Sequence, residues 1–191
     1  MRLALAFLLI ALPSGVDAAC KQIKAESDVI GIRIGDAQSA VRAIGEAGFP
    51  TAEQDKNEAG ADTSLPYVRF ATRDGREEFK LYEHYGDEVN SYNELEVARA
   101  RAGVSAAKRL PVAHFSTERG IKLGITEQAL TRILGSCFKR RRGDTGETMI
   151  QYAIDDPGHP LLKRVNMPSY YAHYVFRRGK LTRFKFGFEY P

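Results

Sequence analysis

The sequence predicts an α+β fold of two tandem repeats, each a short helix packed on one face of an antiparallel β-sheet. Three observations predict it. The segment GIRIGDAQSAVRAIGEAGF at residues 31–49 returns 89 positions later as GIKLGITEQALTRILGSCF at residues 120–138, with six of nineteen positions identical. Each copy is followed by runs in which apolar and polar residues alternate, the period of a half-buried strand. The chain closes on Phe184, Phe186, Phe188 and Tyr190, a row that shares one face of a strand. In 191 residues, 28 Lys and Arg stand against 24 Asp and Glu, a net charge of +4. So mild a surplus does not call for a nucleic acid partner. Two cysteines are too few for a dense disulfide scaffold or a multi-cysteine metal cluster.

Residues 1–18 read as a secretory signal peptide. Met1 and Arg2 precede an apolar run over residues 3–12, then Pro13, Ser14 and Gly15 break the helix before Val16, Asp17 and Ala18. The run is short of the ~20 apolar residues a membrane span needs. Its order is that of a leader cleaved near Ala18, giving a periplasmic or secreted protein. Cys20 then stands close to the new N-terminus. An exported location permits a disulfide with Cys137. Lipidation of Cys20 is the competing reading, although Asp17 occupies the place where such sites usually carry an aliphatic residue.

The first repeat spans residues 19–103 and the second 104–191. In each, a glycine turn (Gly35, Gly124) leads into a helix capped by Asp36 or Thr126, whose side chains accept backbone N–H bonds. Ala37, Ala40, Val41 and Ile44 form one helical face, as do Leu130, Ile133, Leu134 and Cys137. Gly45 or Gly48, and Gly135, are the stops. A polar loop over residues 51–64 precedes YVRFATRDGREEFKLYEHY, in which Asp74 and Gly75 signal a two-residue hairpin. A further strand is expected over residues 89–97. Residues 99–119 read as a connector with a short strand at 112–116. The second repeat continues with a strand over residues 148–154 and a loop over 155–168. A final hairpin turns at Arg178, Gly179 and Lys180. Its aromatic row is expected to cover the helix, leaving Arg183, Lys185 and Glu189 toward solvent.

The motifs GIRIGDAQSAVRAI, GIKLGITEQALTRILGS and FRRGKLTRFKFGF resemble the tandem helix-plus-sheet unit of the beta-lactamase-inhibitor-protein group and the related SmpA/OmlA (BamE-like) envelope domains. The second copy resembles them more closely, because the first has Gly45 where a Leu-Gly would end the helix. The resemblance implies a non-enzymatic, exported module that offers a sheet face to another envelope or secreted protein.

For the partner surface the sequence points to Tyr171, His173, Arg177, Arg183 and Lys185 on the outer side of the last hairpin. Tyr and Arg are the types that most often dominate interfaces. The basic run Lys139, Arg140, Arg141 and Arg142 reads as a solvated loop able to make weak contact with a membrane surface. The alternative is a small envelope enzyme or metal binder using His84 or His173, with Glu83, Asp87 and Glu88 near the former. No HExxH pattern, nucleophile elbow or phosphate loop is present. No catalytic residue, metal site or cofactor is therefore expected, and no nucleic acid.

Overall fold

The computed structural model describes residues 23–46, 65–84, 86, 88–100, 108–143 and 145–189. The expected leader at 1–18, Cys20, Asp87, Tyr190 and the division at 103/104 lie outside the described residues. The elements run β1 (Asp28–Val29), β2 (Ile32–Arg33), α1 (Ala37–Ile44), β3 (Tyr67–Ala71), β4 (Glu77–Tyr82) and β5 (Glu94–Arg99). They continue with β6 (Lys108–Arg109), α2 (Glu127–Leu134), β7 (Lys139–Arg142), β8 (Thr148–Ile154), α3 (Pro160–Val165), β9 (Ser169–Arg177) and β10 (Lys180–Glu189).

The caps behave as their residue types require. The Asp36 side chain accepts from the Ser39 N–H at 3.0 Å, and that of Thr126 from the Ala129 N–H at 3.2 Å. Gly45 and Gly135 end the helices at φ 74° and 93°, a region that favours glycine. The third helix falls inside the stretch expected as a loop. Pro157 and Gly158 suggest a break, but His159 caps through Nδ1, 3.2 Å from the Leu161 N–H. Pro160 then takes the first helical position, where its missing donor costs nothing. Leu161 and Leu162 are buried.

Eight strands form one mixed sheet in the order β6-β3-β4-β5-β10-β9-β8-β7, and β1 and β2 form a separate pair. This corrects the expected α+β fold of two tandem helix-plus-sheet repeats. The described structure is mostly β, with helices of only eight, eight and six residues. The physical reason is the pairing of β5 with β10, which sets Glu96 against Lys185 and Val97 against Phe184. That ladder joins the strands of both halves into one layer. Other differences are local. The first hairpin uses a longer loop, in which Thr72 N–H donates to the Glu77 carbonyl. Asp74 Oδ1 accepts there from the Thr72 hydroxyl at 2.8 Å and the Arg76 N–H at 3.0 Å. β5 starts at Glu94 rather than 89, because Asn90 takes φ 65°. The connector strand is β6, parallel to β3; residues 112–116 form none. The basic run is not a loop but the edge strand β7, paired with β8.

One face of the large sheet is apolar. Phe79, Leu81, Leu95, Val97, Phe184, Phe186, Phe188, Tyr170, Ala172, Tyr174 and Ile150 point into a core shared with Ala40 and Ile44 of α1, Leu130 and Leu134 of α2, and Leu161 and Leu162 of α3. The expected inward aromatic row therefore stands, as far as Phe188. Burying such large rings is the main favourable contribution to this layer.

Candidate functional site: the outer face of the sheet

Side chains alternate across a strand, so strand register decides what stands together on the outer face. One row reads Tyr67, Tyr82, Glu94, Gly187, Tyr171 and Ala153. The next reads Arg69, Lys80, Glu96, Lys185, His173, Gln151 and Lys139. The third reads Ala71, Glu78, Ala98, Arg183, Val175, Met149 and Arg141. Tyr171, His173, Arg183 and Lys185 therefore lie together, as the sequence predicts. Arg177 shares their face at the hairpin end, where it pairs with Glu147.

The centre is Glu94, whose side chain is 5% exposed. Its Oε1 accepts from His84 Nε2 at 2.8 Å and its Oε2 from the Tyr171 hydroxyl at 2.5 Å. The Lys185 ammonium also meets Oε2 and stands 4.4 Å from the centre of the Tyr82 ring. Burial alone would raise the Glu94 pKa. The His84 bond, the Lys185 charge and the Tyr171 bond outweigh it and hold the carboxyl at about 2. Glu96 accepts from the Tyr82 hydroxyl at 2.6 Å and lies 3.9 Å from Arg183. Burial and these carboxylates raise both tyrosine pKa values, so both phenols remain donors.

Glu94 and Tyr171 sit on strands that are not neighbours. Gly187, between them in register, makes the bond across β10 feasible. A Cβ there would fall 2.5 Å from the Asn93 carbonyl oxygen and 2.6 Å from Glu94 Cγ. Sequence reasoning picked out the basic and aromatic members of this face but missed Glu94, Glu96, Tyr82 and Gly187. The alternation in ELEVAR carries the signal, since period two places both glutamates opposite the leucine and valine.

His173 is half-buried and lies beside Tyr171, ring centres 5.1 Å apart. Burial lowers its pKa, and Lys185, Arg183 and Arg141 lower it further against the opposing pull of Glu189. The imidazole is therefore neutral at pH 7. His84 is committed to Glu94. Elsewhere, His114 Nδ1 lies 2.8 Å from Glu77 Oε1 beside a groove of about 200 Å³. Among the described residues, no group of three or more His, Cys, Asp and Glu stands close enough to hold a metal ion.

Cys137 carries no free thiol. Its expected partner, Cys20, lies outside the described residues. No family model matches the chain, and neither a curated protein nor a solved structure matches it.

Proposed function

We propose that the chain is an exported, non-enzymatic binding protein whose outer sheet face receives another protein. The observation that carries this reading is the pre-ordered face itself. Tyr82, His84, Tyr171, Arg183 and Lys185 are held by the buried carboxylates of Glu94 and Glu96 rather than left as a fringe of mobile charge. Side chains ordered before binding lose less entropy on association, and Tyr and Arg are frequent anchors. Export is supported by the sequence of residues 1–18. Intact mass of the exported protein is expected to show an N-terminus at or near Ala19 without a diacylglycerol addition on Cys20.

Photocrosslinking in the cells that make the protein tests the binding face. A benzophenone amino acid replaces Gln151 on the outer face or the exposed Gln128 on α2. One protein adduct of defined mass is expected from position 151 and none from 128. The His173→Ala/Arg183→Ala variant is expected to weaken that complex by about thirtyfold, the loss of one true anchor. Tyr171 and Lys185 stay in place, because truncating them would leave buried Glu94 short of partners. No adduct from 151, or equal adducts from both positions, overturns the reading.

A further inference from the structure

The charges of the outer face are not evenly spread. Its buried carboxylates gather on β4 and β5, as Glu78, Glu94 and Glu96, where Arg69, Lys185 and Arg183 already answer them; of the others, Glu189 ends β10 beside Ser169 and Glu147 pairs with Arg177. Toward the other edge the face carries Lys139 and Arg141 of β7, both exposed. Neither has an ion-pair partner among the described residues. Their strand mates Arg140 and Arg142 point to the opposite side, where Arg140 meets Glu127 of α2.

His173 lies between the two sets of cations. In register, Lys185 is its direct neighbour on β10 and Gln151 its neighbour on β8, with Lys139 beyond. Arg183 and Arg141 occupy the adjoining row, and Val175 and Met149 lie between them. The imidazole nitrogens make no hydrogen bond among the described residues. Three strand spacings of ~4.8 Å separate β10 from β7, about 14 Å in all. That width seats an extended chain and brings its side chains within reach of cations on both sides.

Resting on the reading of this face as the partner surface, we infer that it takes an acidic, extended segment of a partner protein over His173, with carboxylates meeting Arg183 on one side and Lys139 and Arg141 on the other. Lys185, 22% exposed and held by Glu94, supplies field rather than contact, whereas Arg183 is 48% exposed and only at 3.9 Å from Glu96. The charged groups facing His173 are Lys185, Arg183 and Glu189 on the neighbouring β10 and, one strand beyond β8, Arg141 and Lys139 on β7. An arriving carboxylate offsets the cations, so the imidazole pKa rises on binding. The bland role of cations on an edge strand, to discourage edge-to-edge pairing, explains β7 alone. It does not explain why the cations on the other side of His173 complete the frame.

The test uses a fluorescein-labelled twelve-residue peptide of Asp, Glu, Gly and Ser, a neutral peptide with Asn and Gln in place of the acids, and phosphatidylglycerol vesicles. The acidic peptide is expected to bind and the neutral one not. Lys139→Glu/Arg141→Glu is expected to weaken binding about tenfold or more. Arg42→Glu/Arg132→Glu, which makes the same change of net charge on the exposed helix surfaces, is expected to leave it within about twofold. The wild-type His173 Cε1–H resonance, followed by NMR, is expected to titrate at higher pH with the peptide bound, a readout that needs no variant to fold. Equal weakening in both charge-reversal variants, an unmoved His173 titration, or binding of the vesicles without the peptide each overturns the inference. An adduct from position 151 with no acidic-peptide binding removes the acidic assignment and leaves the proposed function standing. Loss of both removes the two together.

Discussion

Glu94 shows how a single carboxylate organises a surface. Its folded pKa of about 2 lies below the ordinary 4.5, so the native state favours its charged form. The resulting stability is fully present above pH 4.5 and is lost as pH falls toward 2. The difference corresponds to something on the order of 3 kcal/mol. In Glu94→Gln that acid limb is expected to flatten in urea denaturation measured from pH 5 to pH 2.5. Glu94→Ala is expected to cost about 3–5 kcal/mol at pH 7, because the Lys185 ammonium is then left half-buried without its partner. Gly187→Ala tests the same site sterically. Its Cβ would fall 2.5 Å from the Asn93 carbonyl oxygen just before β5 and 2.9 Å from Glu94 Cα, so β5 and β10 must part. A loss of about 3 kcal/mol is expected, read as a lower urea midpoint with an unchanged slope. The cationic members of this site were legible in the sequence, since period two alone aligns Arg183 with Lys185. The face of Glu94 was legible in ELEVAR, but its role was not, because that depends on Gly187 and on a strand pairing across the two halves of the chain.

At the scale of elements, the β1–β2 pair is a small unit held down by polar contacts. Ile30 N–H donates to the Ser116 carbonyl at 2.9 Å, and Asp28 Oδ1 accepts from the Glu118 N–H at 2.9 Å. Just before β1, the Glu26 side chain is 1% exposed, with Arg119 Nε 3.1 Å away. Burial pushes its pKa up to about 7, against a hydrogen bond from Thr117 and the Arg119 charge, while Asp28 and Glu118 add repulsion. Here the sign is opposite to that of Glu94. The folded state holds the proton more tightly than the unfolded chain, so this contribution is fully present below pH 4.5 and is lost as pH rises through 7. Glu26→Gln is expected to match wild type near pH 4.5 and to be more stable at pH 8, by an amount on the order of 3 kcal/mol at most. Hydrogen exchange at Ile30 and Glu118 is the local readout, and protection there is expected to fall between pH 6 and 8 in wild type only. Both long helices were legible from their caps and glycine stops. The third was masked by Pro157 and Gly158, and β7 by its charge, since a run of four cations on an edge leaves no apolar face to read.

At the scale of the whole molecule, the continuous sheet explains why local patterns gave strands but not architecture. Alternation places Phe184 and Val97 on apolar faces, yet nothing in either run says that they pair. That choice is made by the shared core, which gathers residues from Val29 to Phe188. A disulfide between Cys20 and Cys137 would add a covalent tie between the two halves of the chain. Cys137 follows α2, three residues past its last helical position, and carries no free thiol. Cys20 is the only other cysteine in the chain. Closing a loop of over a hundred residues reduces the entropy of the unfolded chain, worth about 5 kcal/mol in the chain-entropy model before any native strain. The bond is expected in exported protein, with both thiols alkylated only after reduction. Reduction, or Cys137→Ser, is expected to lower the urea midpoint while leaving the outer sheet face formed, because no side chain there depends on Cys137. The His173 titration reports on that face directly and is expected to be unchanged in the reduced protein below its unfolding midpoint. Two thiols alkylated before reduction would remove the bond.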